Sequence, residues 1–206
     1  MAVKKPGSVR IIAGEWRGRR LPVADLPGLR PTGDRSRETL FNWLQAKLPG
    51  NHCIDLFAGT GVLGLEAISR GAKSAVLVEK SPVAAKNLLA NVEMLKAQQV
   101  AVVQGDALTW LESQSTNSAA HPAGLAARAA DLVFVDPPFG LGLAGKTLQL
   151  LQSSHILKPG GLVYVETARS EPINLPARAW RVVREKTLGE VQMHLLEKIS
   201  GNPESN

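Results

Sequence analysis

One cysteine in 206 residues, Cys53, leaves no partner for an internal disulfide. The fold must rest on burial and hydrogen bonding, and a lone thiol suits a reducing cytoplasm. Long apolar runs are missing too. No stretch approaches the roughly 18 residues of a membrane span. The start, Met1-Ala2-Val3-Lys4-Lys5-Pro6, lacks the apolar core of a signal peptide. The four histidines, His52, His121, His155 and His194, are scattered, and none joins Cys53 at metal-ligand spacing, so no metal is expected. Aromatic residues make up 4% of the chain, and Trp43 and Trp110 read as core. No internal repeat is visible. What remains is ordinary for a soluble globular chain of one to one and a half domains: 44% hydrophobic residues and a mean hydropathy of −0.02.

Positive charge is present, and it is concentrated. Residues 1–50 carry ten Lys and Arg against four Asp and Glu, whereas residues 51–206 carry fourteen of each. The whole net charge of +6 therefore sits in the first quarter. Lys4 and Lys5 fit a solvated tail. Arg10, Arg17, Arg19, Arg20, Arg30, Arg35 and Arg37 form a different pattern, nearly all arginine, broken by Trp16 and several glycines. Arginine interleaved with an aromatic suits phosphate contact and base stacking, so these eight residues are the candidate polyanion-binding set.

Hydrophobic patterning predicts a small hairpin over residues 9–23 around Gly14 and Gly18, then an extended connection through Pro22, Pro27 and Pro31. A helix follows from Asp34 to Leu48, with Asp34 or Ser36 as cap. Beyond Pro49-Gly50 the chain alternates. Strands are predicted at Cys53–Phe57, Ala75–Val78, Val100–Val103, Leu132–Val135 and Leu162–Val165. Helices are predicted at Val62–Arg70, Pro82–Leu95 and Leu143–Leu157, the second started by Ser81 before Pro82. Trp180–Glu185 and Val191–Ile199 around Gly189 read as a terminal hairpin. This is the pattern of an α/β chain with a doubly wound, mostly parallel seven-stranded sheet and an antiparallel C-terminal edge. The Ala/Ser-rich stretch Ser113–Ala130 reads as a surface insertion and 201–206 as a disordered tail. The expected organisation is a basic N-terminal extension over 1–33 and a main domain over 34–200.

Two loops carry chemistry. Asp136-Pro137-Pro138-Phe139 follows the strand Leu132–Val135. The prolines stop the strand and stiffen the exit, so a carboxylate, backbone carbonyls and a ring stand where open α/β sheets bind ligands. A planar group bearing an N–H₂ fits that nest, although the same letters also make a plain turn. The second loop, Asp55-Leu56-Phe57-Ala58-Gly59-Thr60-Gly61-Val62-Leu63-Gly64, has G-x-G-x-x-G spacing between a strand and a helix, with Glu79 twenty residues past Gly59. That is the dinucleotide fingerprint, and a nicotinamide-dependent oxidoreductase stays open. Asp55 argues against it, because a carboxylate there repels a pyrophosphate and suits a cationic amine. Asp106, before Ala107, can accept from an adenine amine. A ligand with an ammonium, a ribose diol and an adenine but no phosphate matches Asp55, Glu79 and Asp106, and S-adenosylmethionine is such a ligand.

These residues resemble class I S-adenosylmethionine-dependent methyltransferases. Asp136-Pro137-Pro138-Phe139 resembles the D/N-P-P-Y/F/W motif of those that methylate amino nitrogens. Arg10-Ile11-Ile12-Ala13-Gly14, Arg17-Gly18-Arg19, Arg30-Pro31-Thr32 with Asp34-Arg35, Arg37-Glu38 and Leu40-Phe41-Asn42 are similar to the bacterial ribosomal RNA small subunit methyltransferase D family. The resemblance runs from about Val9 to Ile199. It implies a Rossmann-like fold, S-adenosylmethionine as cofactor, and transfer of a methyl to the exocyclic N2 of one guanine in 16S rRNA, free or within an assembling small subunit. A cytoplasmic protein is expected, and a monomer, although the sequence does not fix the oligomeric state. The resemblance puts catalysis on Asp136, Pro137 and Phe139. Cofactor binding falls to Asp55, Phe57, Ala58, Gly59, Thr60, Gly61, Glu79, Lys80, Asp106 and Ala107. Methylation of another amine, an adenine N6 or a protein glutamine, remains an alternative, as does a non-catalytic RNA-binding factor. Cys53 reads as core, which leaves no cysteine nucleophile for carbon methylation.

Overall fold

A computed structural model describes residues 7–24, 33–116 and 129–199. Arg30, residues 117–128 of the expected insertion and the tail 201–206 lie outside the described residues.

The described chain runs β1 (Ser8–Arg10), β2 (Arg20–Pro22), α1 (Asp34–Leu44), β3 (His52–Asp55), α2 (Val62–Ser69), β4 (Ser74–Glu79) and α3 (Pro82–Leu95). It continues with β5 (Val100–Gln104), α4 (Ala107–Thr116), β6 (Ala130–Val135), α5 (Leu143–Ser153), β7 (Leu157–Ala168), β8 (Trp180–Leu188) and β9 (Val191–Lys198). Seven strands form one sheet in the order β5-β4-β3-β6-β7-β9-β8. The pairs from β5 to β7 are parallel, and β9 pairs antiparallel with both β7 and β8. This is the doubly wound, Rossmann-like sheet with an antiparallel edge that the alternating pattern predicts.

Side chains alternate across the sheet, and both faces are covered. Cys53, Ala75, Leu77, Leu132, Phe134, Leu162 and Tyr164 bury against α1, α2 and α3. Ile54, Val76, Val78, Val133, Val135, Val163 and Val165 bury against α4 and α5. Two-sided burial is why the strands read as continuous apolar runs.

The antiparallel hairpin β1–β2 packs on the first face, with Val9, Ile11, Trp16 and Leu21 in the same core as Leu40 and Phe41. Its anchor is Glu66 of α2, which is fully buried. Glu66 Oε2 accepts from the Ile12 amide at 2.8 Å and Oε1 from the Ala13 amide at 3.0 Å. The same carboxylate pairs with Arg37 at 3.2 Å and Arg70 at 2.8 Å. Arg70 also lies over the Phe41 ring, 4.7 Å from its centroid.

Several expectations are corrected here. Trp16 is only 7% exposed and sits in the core, so its ring faces are not offered to a base. Arg37 is fully buried, held by Glu66 and by Asp34 at 2.6 Å, so it is a structural ion-pair partner rather than part of a basic surface. Gly33, not Asp34 or Ser36, occupies the cap position of α1, without a side-chain bond. The helix predicted through Leu157 ends at Ser153, and Leu157 opens the twelve-residue strand β7. Helix α4 was not anticipated; it takes in part of the stretch read as an insertion.

Candidate active site

The sheet order reverses between β3 and β6, and the crevice beyond their carboxyl ends is where such sheets bind ligands. The acids singled out in the sequence stand along that edge. Asp55 ends β3, Glu79 ends β4, Asp106 follows β5 and Asp136 follows β6. In the register, Asp55 aligns with Phe134, which aligns with Tyr164. Asp136 and Glu166 lie one same-face step further on. Glu166 is the residue sequence reasoning missed. It is a charged side chain in the apolar run Val163-Tyr164-Val165, and it accepts a hydrogen bond from the Tyr164 hydroxyl while remaining buried.

These acids repel one another. Burial, then Asp136, pushes the Asp55 carboxyl up to about 7 against the pull of the Gly64 and Phe57 amides. Burial and then Asp136 likewise raise Glu166 to about 8. Asp55 Oδ2 accepts from the Gly64 amide at 3.3 Å. Asp55 Oδ1 is buried with no hydrogen-bond partner, an acceptor that suits an incoming cation.

The sign of the pH effect follows from the proton count. An acid raised in the folded state holds a proton that the unfolded chain has released, so raising the pH strips it at a cost. The free protein is therefore expected to lose stability as pH rises through about 4 to 7 for Asp55, with Glu166 extending the window to about 8. Urea midpoints measured from pH 5 to pH 8 check this. Asp55→Asn should flatten the profile, and an unchanged slope would count against the raised carboxyl.

The glycine loop is built for close approach. Gly61 sits at the N-terminus of α2 with φ +80°, and a Cβ there would meet Leu88 Cδ1 at 2.3 Å. A Cβ on Gly64 would meet Leu77 Cδ2 at 2.2 Å. Glu79 braces this loop, Oε2 accepting from the Gly59 amide at 2.8 Å and Oε1 from the Ser81 amide at 2.7 Å. Each oxygen keeps a lone pair for a ligand. Thr60 is buried, and its carbonyl accepts from Asn91 at 3.2 Å. Asn91 also donates to the Pro22 carbonyl at 3.3 Å, so one side chain of α3 ties the glycine loop to the hairpin.

Asp106 caps α4. Its Oδ1 accepts from the Leu108 amide at 3.0 Å and the Thr109 amide at 3.2 Å. Its Oδ2 pairs with the exposed Lys80 at 3.2 Å. The Thr109 amide is the largest influence holding this carboxyl below its ordinary range, with Lys80 adding to it. Past Asp136, Pro137 is buried, whereas Phe139 is 45% exposed.

The remaining basic candidates Arg10, Arg17, Arg19, Arg20 and Arg35 are exposed. Arg20 donates to Ser8 Oγ at 3.2 Å, and Arg19 to the Met94 carbonyl of α3 at 3.3 Å. Among the described residues, no group of three or more His, Cys, Asp and Glu is placed to hold a metal ion, and no helix is long and apolar enough to cross a membrane.

Comparison with known proteins gives one consistent family. The model described as Conserved hypothetical protein 95 matches residues 9–197. Ribosomal RNA small subunit methyltransferase D of Escherichia coli K12 is 41% identical, covering 95% of this chain and 96% of that protein. The protein of the same name from Haemophilus influenzae is 43% identical over 93% of this chain and 94% of its own. The solved Escherichia coli protein yhhF has 42% identity and a TM-score of 0.80, covering 95% of this chain and 100% of that one. With 41% and 43% identity to two of its members over nearly its whole length, the chain belongs to the ribosomal RNA small subunit methyltransferase D family.

Proposed function

We propose that this protein transfers a methyl group from S-adenosylmethionine to the exocyclic N2 of a guanine in 16S rRNA. The observation that carries the reading is the crowding of Asp55, Glu79, Asp136 and Glu166 at the switch point of the sheet. An acid-lined crevice attracts a cationic ligand and repels a pyrophosphate, which favours the methyl donor over a dinucleotide. The relatives' names supply ribosomal RNA as the substrate. The guanine comes from the family resemblance.

In this reading Asp55 faces the donor's ammonium. Glu79, with Lys80 beside it, faces the ribose, and Asp106 with Ala107 the adenine. Phe57, Ala58, Gly59, Thr60 and Gly61 form the floor. When bound, the sulfonium supplies a methyl already activated toward nucleophiles. The guanine amine is a weak nucleophile because its lone pair is delocalised, so the protein's task is placement. The Asp136 carboxylate and the Pro137 carbonyl accept from the amine, aim its lone pair and stabilise the positive charge that develops on nitrogen. Phe139 stacks on a base taken out of its helix. The segment 1–33, with its exposed arginines, is the RNA-facing part and 34–200 the catalytic body.

Calorimetry of S-adenosylhomocysteine against NAD tests the ligand class. S-adenosylhomocysteine should bind more tightly at pH 8 than at pH 6, because its ammonium favours ionised Asp55; binding of NAD alone would overturn the reading. The RNA surface has its own test. Replacing Arg17, Arg19 and Arg20 together with alanine should weaken rRNA binding and flatten its salt dependence by up to about 2 in log–log slope. An unchanged slope would remove the hairpin from the RNA footprint.

A further inference from the structure

The loop from Asp136 to Gly142 joins β6 to α5 and carries the acceptor motif. Its first half is stiffened by Pro137 and Pro138. Its second half has no such constraint. Gly140 and Gly142 both take left-handed backbone, φ +79° and +63°. Phe139 and Leu141 are 45% and 60% exposed, so burial does not fix them.

One side chain does. Glu171 Oε2 accepts from the Gly140 amide at 2.8 Å, and Glu171 Oε1 from the Gly142 amide at 2.7 Å. The two left-handed glycines turn their amides toward one carboxylate, as in the backbone nests that hold anions. Glu171 is itself held. Its amide donates to the Ala168 carbonyl at 2.9 Å, and the Arg169 amide donates to the Glu190 carbonyl at 2.7 Å. A path of hydrogen bonds through the Ala168–Arg169 peptide thus runs from the β8–β9 turn through Glu171 to Gly140, which follows Phe139, and to Gly142.

We propose that Glu171 is a positioning residue for the acceptor motif, which fixes where Phe139 stands by clamping the amides on either side of Leu141. The inference rests on the methyltransferase reading above. A carboxylate is needed because it offers two acceptors in a fork. Glutamine offers one acceptor and meets the second amide with a donor. Misplacing a reacting group by about 1 Å can cost 100-fold in rate, so a loosened clamp shows in the RNA step.

The test uses the full chain with Glu171→Ala and Glu171→Gln. Both should lower kcat/KM for rRNA, Glu171→Ala by about 10- to 100-fold, with S-adenosylhomocysteine affinity within about twofold of the parent. Added formate should partly restore Glu171→Ala, by filling the vacated nest, and leave the parent unchanged. Hydrogen exchange of the Gly140 and Gly142 amides should quicken in the RNA-free variant, while the Gly59 and Gly61 amides stay as in the parent. Unchanged exchange at Gly140 and Gly142, or cofactor affinity falling in step with activity, overturns the role. If the parent is inert on rRNA, the functional reading fails and this role fails with it. If the parent is active and Glu171→Ala equally active, only this role fails.

Discussion

Replacing Asp136 with alanine is expected to lower methyl transfer to rRNA by at least ~100-fold while S-adenosylhomocysteine still binds. Asp136 stands one residue past β6, where the proposed mechanism puts the amine. Asp55 and Glu79, the groups proposed to hold the donor, come from other strands and survive the change. A second consequence follows from the crowding. Asp136 is the charge that most raises both Asp55 and Glu166 after burial. Removing it relieves two buried carboxyls, so the free variant should melt at or above the parent temperature at neutral pH. Activity lost with stability kept or gained is the mark of a site that holds like charges together for function. Thermal melts and single-turnover methylation check the pair. An active variant, or one that loses activity only because it unfolds, would contradict the assignment.

The largest stability effect is expected at Glu66. Its carboxylate receives two amides of the N-terminal segment and two arginines in a fully buried setting. Glu66→Gln leaves Arg37 with a buried charge no longer neutralised from α2. Breaking one side of such a pair costs about 3–5 kcal/mol. In a chain of this size that is a fall of roughly 10 °C in Tm. The hairpin should loosen first, seen as faster proteolysis near Ile12 and Ala13. The double change Glu66→Gln, Arg37→Met should recover part of the loss, because it removes the buried charge as well as its partner. A double variant no better than the single one would show that the ion pair is not the source.

Much of this was legible in the chain, for identifiable physical reasons. Ser81 before Pro82 started α3, and the observed helix has the predicted bounds, Pro82–Leu95, with the Ser81 hydroxyl accepting from Ala84 at 3.3 Å. The strands were legible because two-sided burial leaves uninterrupted apolar runs. The acids at their carboxyl ends were legible because polar residues interrupt those runs where ligands bind. What failed depended on contacts far apart in sequence. Arg37 looks like part of a basic surface until Glu66, 29 residues away, is seen to bury it. Trp16 sits among arginines in the sequence, yet the hairpin turns its ring inward and the arginines out. Helix α4 buries only Ala107, Trp110 and Leu111 among its described side chains, too little for periodicity to detect. Asp106, read as a ligand-facing acid, is also its cap. Glu166 carried the same signal as the other acids, a charge directly after an apolar run. Glu171 carried none, since nothing in its neighbours points to two glycine amides thirty residues earlier.

The most direct test is transfer of a labelled methyl from S-adenosylmethionine to unmodified small-subunit rRNA, naked and in assembled subunits. Nuclease digestion and mass spectrometry then identify the product. One N2-methylguanosine, formed by the parent and lost in Asp136→Ala, is the expected result. Label on adenine, on protein or nowhere would contradict the proposed function.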